Sequence, residues 1–186
     1  MDSLSKRNLK EKKEWLRKEF RIMRKNLSSQ RKKEAAQKAC QFLIQKTERF
    51  SAVCSFESHH EEIDLTKLNL HLANKGKLLL PKIKGRSLQA YIINNLEEDL
   101  EAGAFNLMQP KDSCQMYSQF IPCILVPAVA FDQKKHRLGF GHGFYDRFLA
   151  VHQESLTLGI GYKEQLSMIS LPIEAHDIPI KELCLF

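Results

Sequence analysis

Residues 121–149 read IPCILVPAVAFDQKKHRLGFGHGFYDRFL, and this stretch decides which kind of fold the chain adopts. Residues 121–126 form an apolar run with the length of a buried strand, and residues 144–152 show the periodicity of a helix. Between them lie a loop and a cluster of glycines. In an open α/β sheet, a loop of this kind lies beyond the carboxyl end of its strand, where ligands bind.

The rest of the chain repeats this alternation of strands and helices. Strands are predicted at 52–56, 77–83, 88–93, 156–160 and 183–186, and helices at 8–27, 30–47 and 64–74. Asp64 is expected to cap the last of these helices, and residues 95–120 are predicted to be mostly loop. The pattern favours an open, mainly parallel sheet with helices on both faces, a three-layer, Rossmann-like α/β fold. We expect a single domain over residues 1–186, with residues 8–47 as N-terminal helices packed on it.

The composition is that of a globular protein, with 43% hydrophobic and 27% charged residues in a chain of 186. These values exclude wholesale disorder and fibrous structure. No apolar stretch approaches the roughly 20 residues of a spanning helix, and the N-terminus lacks the apolar core of a secretory signal. The five cysteines are scattered without a C-x-x-C pair, which favours a cytoplasmic protein without a disulfide framework or a zinc site.

Positive charge is concentrated at the N-terminus. Residues 1–38 hold 14 basic and 5 acidic residues, whereas the rest of the chain holds 15 basic and 17 acidic residues. In the predicted helix 8–27, Lys13, Arg17, Arg21 and Arg24 stack along one side, apart from an apolar stripe on another face. Such an element could hold nucleic acid, an acidic membrane, a partner or a phosphorylated small molecule, or could be a solvated helix face.

The glycines at 139, 141 and 143 alternate with other residues just before the predicted helix. Successive backbone N–H groups leading into a helix N-terminus can form an anion-binding nest, and Arg137 offers a forked contact to phosphate oxygens. Asp146 could hold a metal ion that accompanies the phosphates, or could cap the helix. The spacing matches neither the dinucleotide fingerprint nor a Walker A loop, so a purely structural turn stays open.

The full string is more specific than its glycines. Pro127, Phe131-Asp132 and RLGFGHGFYDRFL resemble the signature of the 5-formyltetrahydrofolate cyclo-ligase family, the methenyltetrahydrofolate synthetases. Five other segments resemble further landmarks of that family and occur in the same order. They are Lys13-x-x-x-Arg17 with Ser28, Phe56 with Glu62-Ile63-Asp64-x-Thr66, Leu80-Pro81-Lys82, Gly159-Ile160-Gly161-Tyr162-x-x-Gln165 and Leu171-Pro172-x-Glu174-x-His176-Asp177. The resemblance covers the chain from about residue 10 to 184.

The resemblance implies an enzyme that converts 5-formyltetrahydrofolate and ATP into 5,10-methenyltetrahydrofolate, ADP and phosphate, with Mg²⁺. It implies that ATP is bound by Lys13, Arg17, Arg137, Leu138, Gly139, Phe140, Gly141, His142, Gly143, Phe144 and Tyr145. It implies that the folate is bound by Glu57, Glu62, Phe140, Gly141, His142, Gly143 and Phe144. Asp146 and Asp177 would hold the magnesium ion, and Arg137, His142 and Tyr145 would be the catalytic residues.

Some positions depart from the family pattern. His142 stands where the family commonly has a small residue or lysine, and Phe144 stands where it commonly has tyrosine. Glu61 beside Glu62 leaves two registers for the folate glutamate, of which Ile63-Asp64-x-Thr66 favours Glu62. A mutation of Arg137 is expected to impair turnover far more than folding, because a surface loop cation adds little to a core.

We expect the partners to be a reduced folate and ATP, with no nucleic acid, no membrane and a monomeric state. Three alternatives remain at this stage. They are a catalytically weak homologue that binds folate and ATP, a sugar-phosphate isomerase-like enzyme on a similar fold, and a non-enzymatic RNA- or membrane-binding module that uses residues 1–38.

Overall fold

The computed structural model describes residues 8–59, 61–103 and 107–186. Its helices are α1 (Leu9–Asn26), α2 (Ser29–Thr47), α3 (Thr66–Asn74) and α4 (Phe144–Val151). Its strands are β1 (Val53–Cys54), β2 (Leu78–Lys84), β3 (Ser87–Ile92), β4 (Leu100–Ala102), β5 (Met108–Pro110), β6 (Cys123–Pro127), β7 (Ala130–Asp132), β8 (Arg137–Leu138), β9 (Leu156–Gly161), β10 (Leu166–Ser167) and β11 (Glu182–Leu185).

A six-stranded sheet in the order β11-β9-β6-β1-β2-β3 forms the centre of the fold. All neighbours in it pair in parallel except β2 and β3, which form an antiparallel hairpin at one edge. The central strand β6 is buried along its whole length, as its unbroken apolar sequence predicts for a strand covered on both faces.

Helices cover both faces of this sheet. Because successive side chains of a strand point to opposite faces, Val53 packs toward α2 and α3, and Cys54 packs toward α4. On the first side the helices contribute Leu43 and Leu72, and on the second side α4 contributes Phe148. The expected mainly parallel sheet with helices on both faces is therefore confirmed.

Helix α1 lies against the small sheet β10-β7-β8 rather than the main sheet. Its Leu16 packs with Ala130, Leu138 and Leu171. On either side of Leu16 along the helix, Lys13 and Arg24 are also buried, at 8% and 3% exposure. The cationic stripe therefore faces the protein at these two positions, and its interpretation as a solvated helix face is wrong.

The predicted helix boundaries hold to within a few residues, and Ser28 caps α2 by accepting a hydrogen bond from the N–H of Arg31. Asp64 is not the cap of α3, because the structure places Leu65 in that position. The Asp64 carboxylate instead accepts from the N–H of Thr66, which closes a turn just before the helix.

Two hairpins of short strands differ from the sequence-based expectation. The segment 95–120, predicted to be mostly loop, contains the antiparallel pair β4–β5. The loop after β6 contains the antiparallel pair β7–β8, whose turn places Lys135 at φ +67°. Strands of two or three residues are too short to show an alternating pattern in sequence.

Among the described residues, no helix is both long and apolar enough to cross a membrane.

Candidate active site

A pocket of about 320 Å³ opens at the carboxyl ends of β1 and β6. Phe56 and Glu57 enter it just after β1, and Pro127 enters it from the last position of β6. The loop between β8 and α4 forms another side. The ligand position expected for an open α/β sheet is therefore the position of the pocket.

The backbone of this loop requires glycine at two positions. Gly141 has φ +109°, and Gly143, the N-cap of α4, has φ +64°. A Cβ on Gly143 would lie 2.9 Å from a guanidinium nitrogen of Arg147. Gly139 differs from both, because a Cβ there would meet no atom of the described residues within 4 Å. Its missing side chain leaves space beside the loop that this chain does not fill.

Arg137 is buried and its guanidinium is fully engaged at one end of the loop. One nitrogen donates to the carbonyl oxygen of Ile178, and the other lies 2.6 Å from Oδ1 of Asp146. Burial lowers the pKa of Arg137, and the Asp146 carboxylate opposes that shift. The expectation that Arg137 is a surface loop cation is therefore wrong, because the side chain is buried and joins three segments.

Asp146 and Asp177, the two expected metal ligands, lie on segments that touch. Asp146 Oδ1 also accepts from the N–H of Ile178, the residue after Asp177. Oδ2 of Asp177 accepts from the N–H of Glu174 at 2.8 Å and from the ammonium of Lys13 at 2.7 Å. Burial alone would raise the pKa of Asp177, but these donors outweigh burial and lower it.

Lys13 joins α1 to this C-terminal segment. Its ammonium lies 2.7 Å from Oε2 of Glu174 as well as from Asp177. Burial alone would lower the pKa of Lys13, yet the two carboxylates raise it, so the side chain stays charged. Glu174, His176 and Asp177 hold their potential ligand atoms within 4.8 Å of one another. Glu174 and His176 belong to a quoted motif, but sequence reasoning gave neither a role.

The three arginines of the cationic stripe contact the glycine loop. Arg17 donates through Nε to the carbonyl oxygen of Gly139 at 2.8 Å. The guanidinium groups of Arg21 and Arg24 lie 5.6 and 5.8 Å from the centre of the Phe140 ring, within range of a cation–π contact. Lys13 and Arg17 are thus brought to the loop and to its neighbouring segment. Arg21 and Arg24 join them without having been named as site residues.

Glu61 and Glu62, the two candidates for the folate glutamate, lie in different environments. Glu62 lines the pocket, and its carboxylate accepts from the N–H of His59 at 3.0 Å. Burial raises the pKa of Glu62 to about 7, against the opposing effects of that N–H group and of Arg24. Glu61 instead forms an ion pair with Lys32 on the surface. The geometry thus places only Glu62 of this pair in the pocket.

Glu57 lines the pocket beside Glu62, and burial raises its pKa although the amide of Asn69 lies 3.5 Å away. Opposite these carboxyl groups is an apolar wall. It is formed by side chains of the β2–β3 hairpin and of the β4–β5 hairpin, namely Pro81, Ile83, Leu88, Leu107 and Met108. A flat, partly polar ring could lie against this wall while its polar edge meets the glutamates.

Comparison with known proteins agrees with this arrangement. A model of the 5-formyltetrahydrofolate cyclo-ligase family matches residues 9–185. The chain belongs to the 5-formyltetrahydrofolate cyclo-ligase family. The cyclo-ligase of Haemophilus influenzae is 28% identical over 93% of this chain and 97% of its own length. That of Escherichia coli K12 is 31% identical over 69% of this chain and 74% of its own length.

A solved structure extends the similarity to three dimensions. The NMR structure of the Aquifex aeolicus 5,10-methenyltetrahydrofolate synthetase has a TM-score of 0.81 and 32% identity. The match covers 92% of this chain and 88% of that one. The expected family, fold class and enzyme class, a cyclo-ligase, are therefore confirmed.

Two further residues of the cyclo-ligase signature line the pocket. His142 is exposed, with its ring 5.6 Å from that of Phe144. Tyr145 is partly buried at the start of α4, and burial raises its pKa well above the ordinary value. The Tyr145 hydroxyl is therefore protonated at neutral pH and able to donate a hydrogen bond.

Proposed function

We propose that this cyclo-ligase family member uses ATP to close the ring of 5-formyltetrahydrofolate, giving 5,10-methenyltetrahydrofolate, ADP and phosphate. The observation that carries the proposal is the position of the glycine loop. Gly139 contacts Arg17 of the cationic helix, and the same loop lines the pocket with its apolar wall through Gly139, Phe140, His142, Gly143 and Phe144. One loop thus adjoins a surface suited to phosphates and a cavity suited to a pterin.

The chemistry explains why both ligands must meet there. The N-formyl group is an amide, and its oxygen is a poor leaving group. Transfer of the γ-phosphoryl group of ATP to that oxygen releases ADP and makes the formyl carbon electrophilic. The N10 amine then attacks this carbon, the C–O bond breaks, phosphate departs and N10 loses its proton. The protein must hold the reacting atoms together and stabilise developing charge.

ATP, the family's co-substrate, would be held by the loop from Arg137 to Tyr145 together with Lys13 and Arg17. The N-terminus of α4 follows the loop directly, so backbone N–H groups and the helix dipole favour an anion there. Lys13 is paired with Asp177 and Glu174, and it would have to share its ammonium with the phosphate oxygens. Arg137 would neutralise charge that develops during transfer.

The residues present also fit a magnesium ion. Asp146 and Asp177 offer carboxylate oxygens, the donors that Mg²⁺ prefers. The negative charges of both carboxylates act on Arg137 and raise its pKa against the effect of burial. Glu174 adds a further carboxylate beside Asp177. When bound, the ion would supply positive charge to the phosphates. Lys13 and Arg137, which now balance these carboxylates, would then be available to face the nucleotide.

The folate would occupy the pocket with its pterin against the apolar wall. Glu62 and Glu57 would accept hydrogen bonds from its polar edge, and Phe140 and Phe144 would border the ring. Tyr145 would donate its hydroxyl proton to an oxygen of the reacting group. His142 lies on the same loop and would contact either phosphate or formyl oxygen.

We further propose a monomeric, cytoplasmic enzyme that binds neither nucleic acid nor membrane. The five cysteines form no disulfide in the structure. Several cations of α1 are not available to form a nucleic-acid-binding surface, since Lys13 and Arg24 are buried and Arg17 contacts the loop.

The experiment is an absorbance assay for the methenyl product with 5-formyltetrahydrofolate, Mg²⁺ and ATP, and with ATP omitted as the control. An ATP-dependent rise is expected. A folded sample that binds ATP and folate by calorimetry but gives no rise would instead be a catalytically weak homologue. Binding of neither ligand would overturn the proposal.

A further inference from the structure

Arg147 connects two segments that line different sides of the pocket. It lies on the exposed side of α4, directly after Asp146. Its Nη2 donates to the carbonyl oxygen of His142 at 2.8 Å, and its Nε donates to the carbonyl oxygen of Arg86 at 2.5 Å. A single guanidinium therefore joins the glycine loop to the β2–β3 turn.

These two segments are the ones whose separation matters for the proposed reaction. His142 belongs to the loop that would wrap the triphosphate. Arg86 lies in the turn between the strands that carry Pro81, Ile83 and Leu88 of the apolar wall. The distance between the loop and the wall therefore depends in part on the Arg147 side chain.

Two neighbours of the exposed Arg147 side chain limit the positions open to its guanidinium. Its guanidinium carbon lies 5.5 Å from the centre of the Phe144 ring, which faces the pocket. The absence of a side chain at Gly143 makes room for it, because a Cβ there would lie 2.9 Å from Nη1. From α1, Arg17 holds the other end of the loop through the carbonyl oxygen of Gly139.

We infer that Arg147 is a positioning residue that sets the spacing between the phosphate-binding loop and the folate wall. The inference rests on the proposed function for its kinetic consequence. Transfer of a phosphoryl group to the formyl oxygen requires the two ligands in near-attack geometry, and a misplacement of about 1 Å can cost about 100-fold in rate. Arg147 touches neither ligand in this account, so it acts through the loop.

The kinetic test compares R147M and R147K with R86A. Methionine keeps much of the packing but donates no hydrogen bond, and lysine keeps the charge but lacks the planar fork whose Nε and Nη2 reach the two carbonyls. R86A is the control, because the Arg86 carbonyl that accepts the bond belongs to the backbone. We expect kcat to fall about 10- to 100-fold in R147M and less in R147K, with the KM values for ATP and folate within about threefold of wild type. R86A should match wild type.

A second measurement keeps the inference testable without turnover. Hydrogen exchange of the backbone amides should increase in R147M both at residues 140–144 and at residues 85–88, and in neither segment for R86A. If hydrogen exchange increases in both segments of R147M while kcat is unchanged, the kinetic role of Arg147 is overturned. Unchanged exchange at both segments, or a loss of kcat that merely follows a fall in melting temperature, would overturn the positioning role itself. Inactive wild-type protein would count against the proposed function, while the exchange data would still decide on the connection.

Discussion

The ammonium of Lys13 lies 2.7 Å from Oδ2 of Asp177, so that α1 and the C-terminal loop meet through one buried cation. The same ammonium lies 2.7 Å from Oε2 of Glu174. The lysine that we propose to bind phosphate is thus already balanced by two carboxylates, with which a bound nucleotide would have to compete. A divalent cation at these carboxylates would relieve that competition, because it would replace the charge that Lys13 supplies.

Replacement of Glu174 by glutamine should strengthen the binding of ATP in the absence of magnesium. Removal of one carboxylate leaves Lys13 less neutralised, and since ion pairs with an exposed carboxylate are weak, we expect a gain in affinity of only about two- to fivefold. Calorimetry in EDTA measures the change. E182Q is the matched control, since Glu182 is exposed to the same degree and pairs with Lys46. Equal or weaker ATP binding by E174Q would contradict the competition.

Glu62 should make the stability of the wild-type protein fall as pH rises through neutrality. Its folded-state pKa is raised from 4.5 to about 7, so the folded protein binds more protons than the unfolded chain between these pH values. The free energy of unfolding therefore decreases as pH rises through this window. E62Q lacks this titration, and relative to E62Q the wild type should be more stable at pH 5 than at pH 8.

Urea unfolding at several pH values from 5 to 8 measures this difference. E61Q is the control, because an ion pair with Lys32 lowers the pKa of Glu61 and places its titration below this range. A difference between wild type and E62Q that does not change with pH would show that Glu62 is solvated in the folded protein.

Arg137 should contribute to stability as well as to turnover. R137M leaves the Asp146 carboxylate without its cation and the Ile178 carbonyl without its donor. We expect a loss of about 2–4 kcal/mol in the free energy of unfolding, since one member of a largely buried ion pair remains alone. The double variant R137M/D146N should be more stable than R137M, because the lone charge is gone. Additive losses in urea unfolding would mean that the two side chains do not interact.

Gly139 should matter for ATP and not for folding. In the part of the chain that the structure describes, an alanine there meets no atom within 4 Å, so the free energy of unfolding of G139A should stay within about 0.5 kcal/mol of wild type. The added methyl group would occupy space beside the phosphates, and the affinity for Mg-ATP should fall at least about tenfold. G143A provides the contrast, because it should lose stability as well as affinity. Normal ATP affinity in G139A would place the nucleotide elsewhere.

The main sheet could be predicted because its strands lie in apolar runs and most of them alternate with periodic helices. Strand β6 and helix α4 are examples, and the ligand position follows from their connection. The hairpins β4–β5 and β7–β8 could not be predicted, since strands of two or three residues are too short to show an alternating pattern. Helix α1 carried both an apolar and a cationic stripe, and only tertiary contacts decide that Lys13 and Arg24 are buried.

For the site, the motif identified which residues gather at the loop but not their connections. The pairing of Lys13 with Asp177 and of Arg147 with Arg86 joins segments far apart in the chain. No local pattern encodes such contacts. The contribution of Met108 to the pocket wall was missed for the same reason, because its strand was predicted to be loop.

The bond between Lys13 and Asp177 also has a consequence for synthesis on the ribosome. Its partners are 164 positions apart, and the nearby contact between Arg17 and Gly139 spans 122 positions. The N-terminal helix therefore emerges long before the residues that complete its half of the site, and its cations remain unbalanced throughout that interval. A nascent chain still lacking residues 137–145 would lack the proposed ATP site, so ATP would not assist the folding of this domain early in translation.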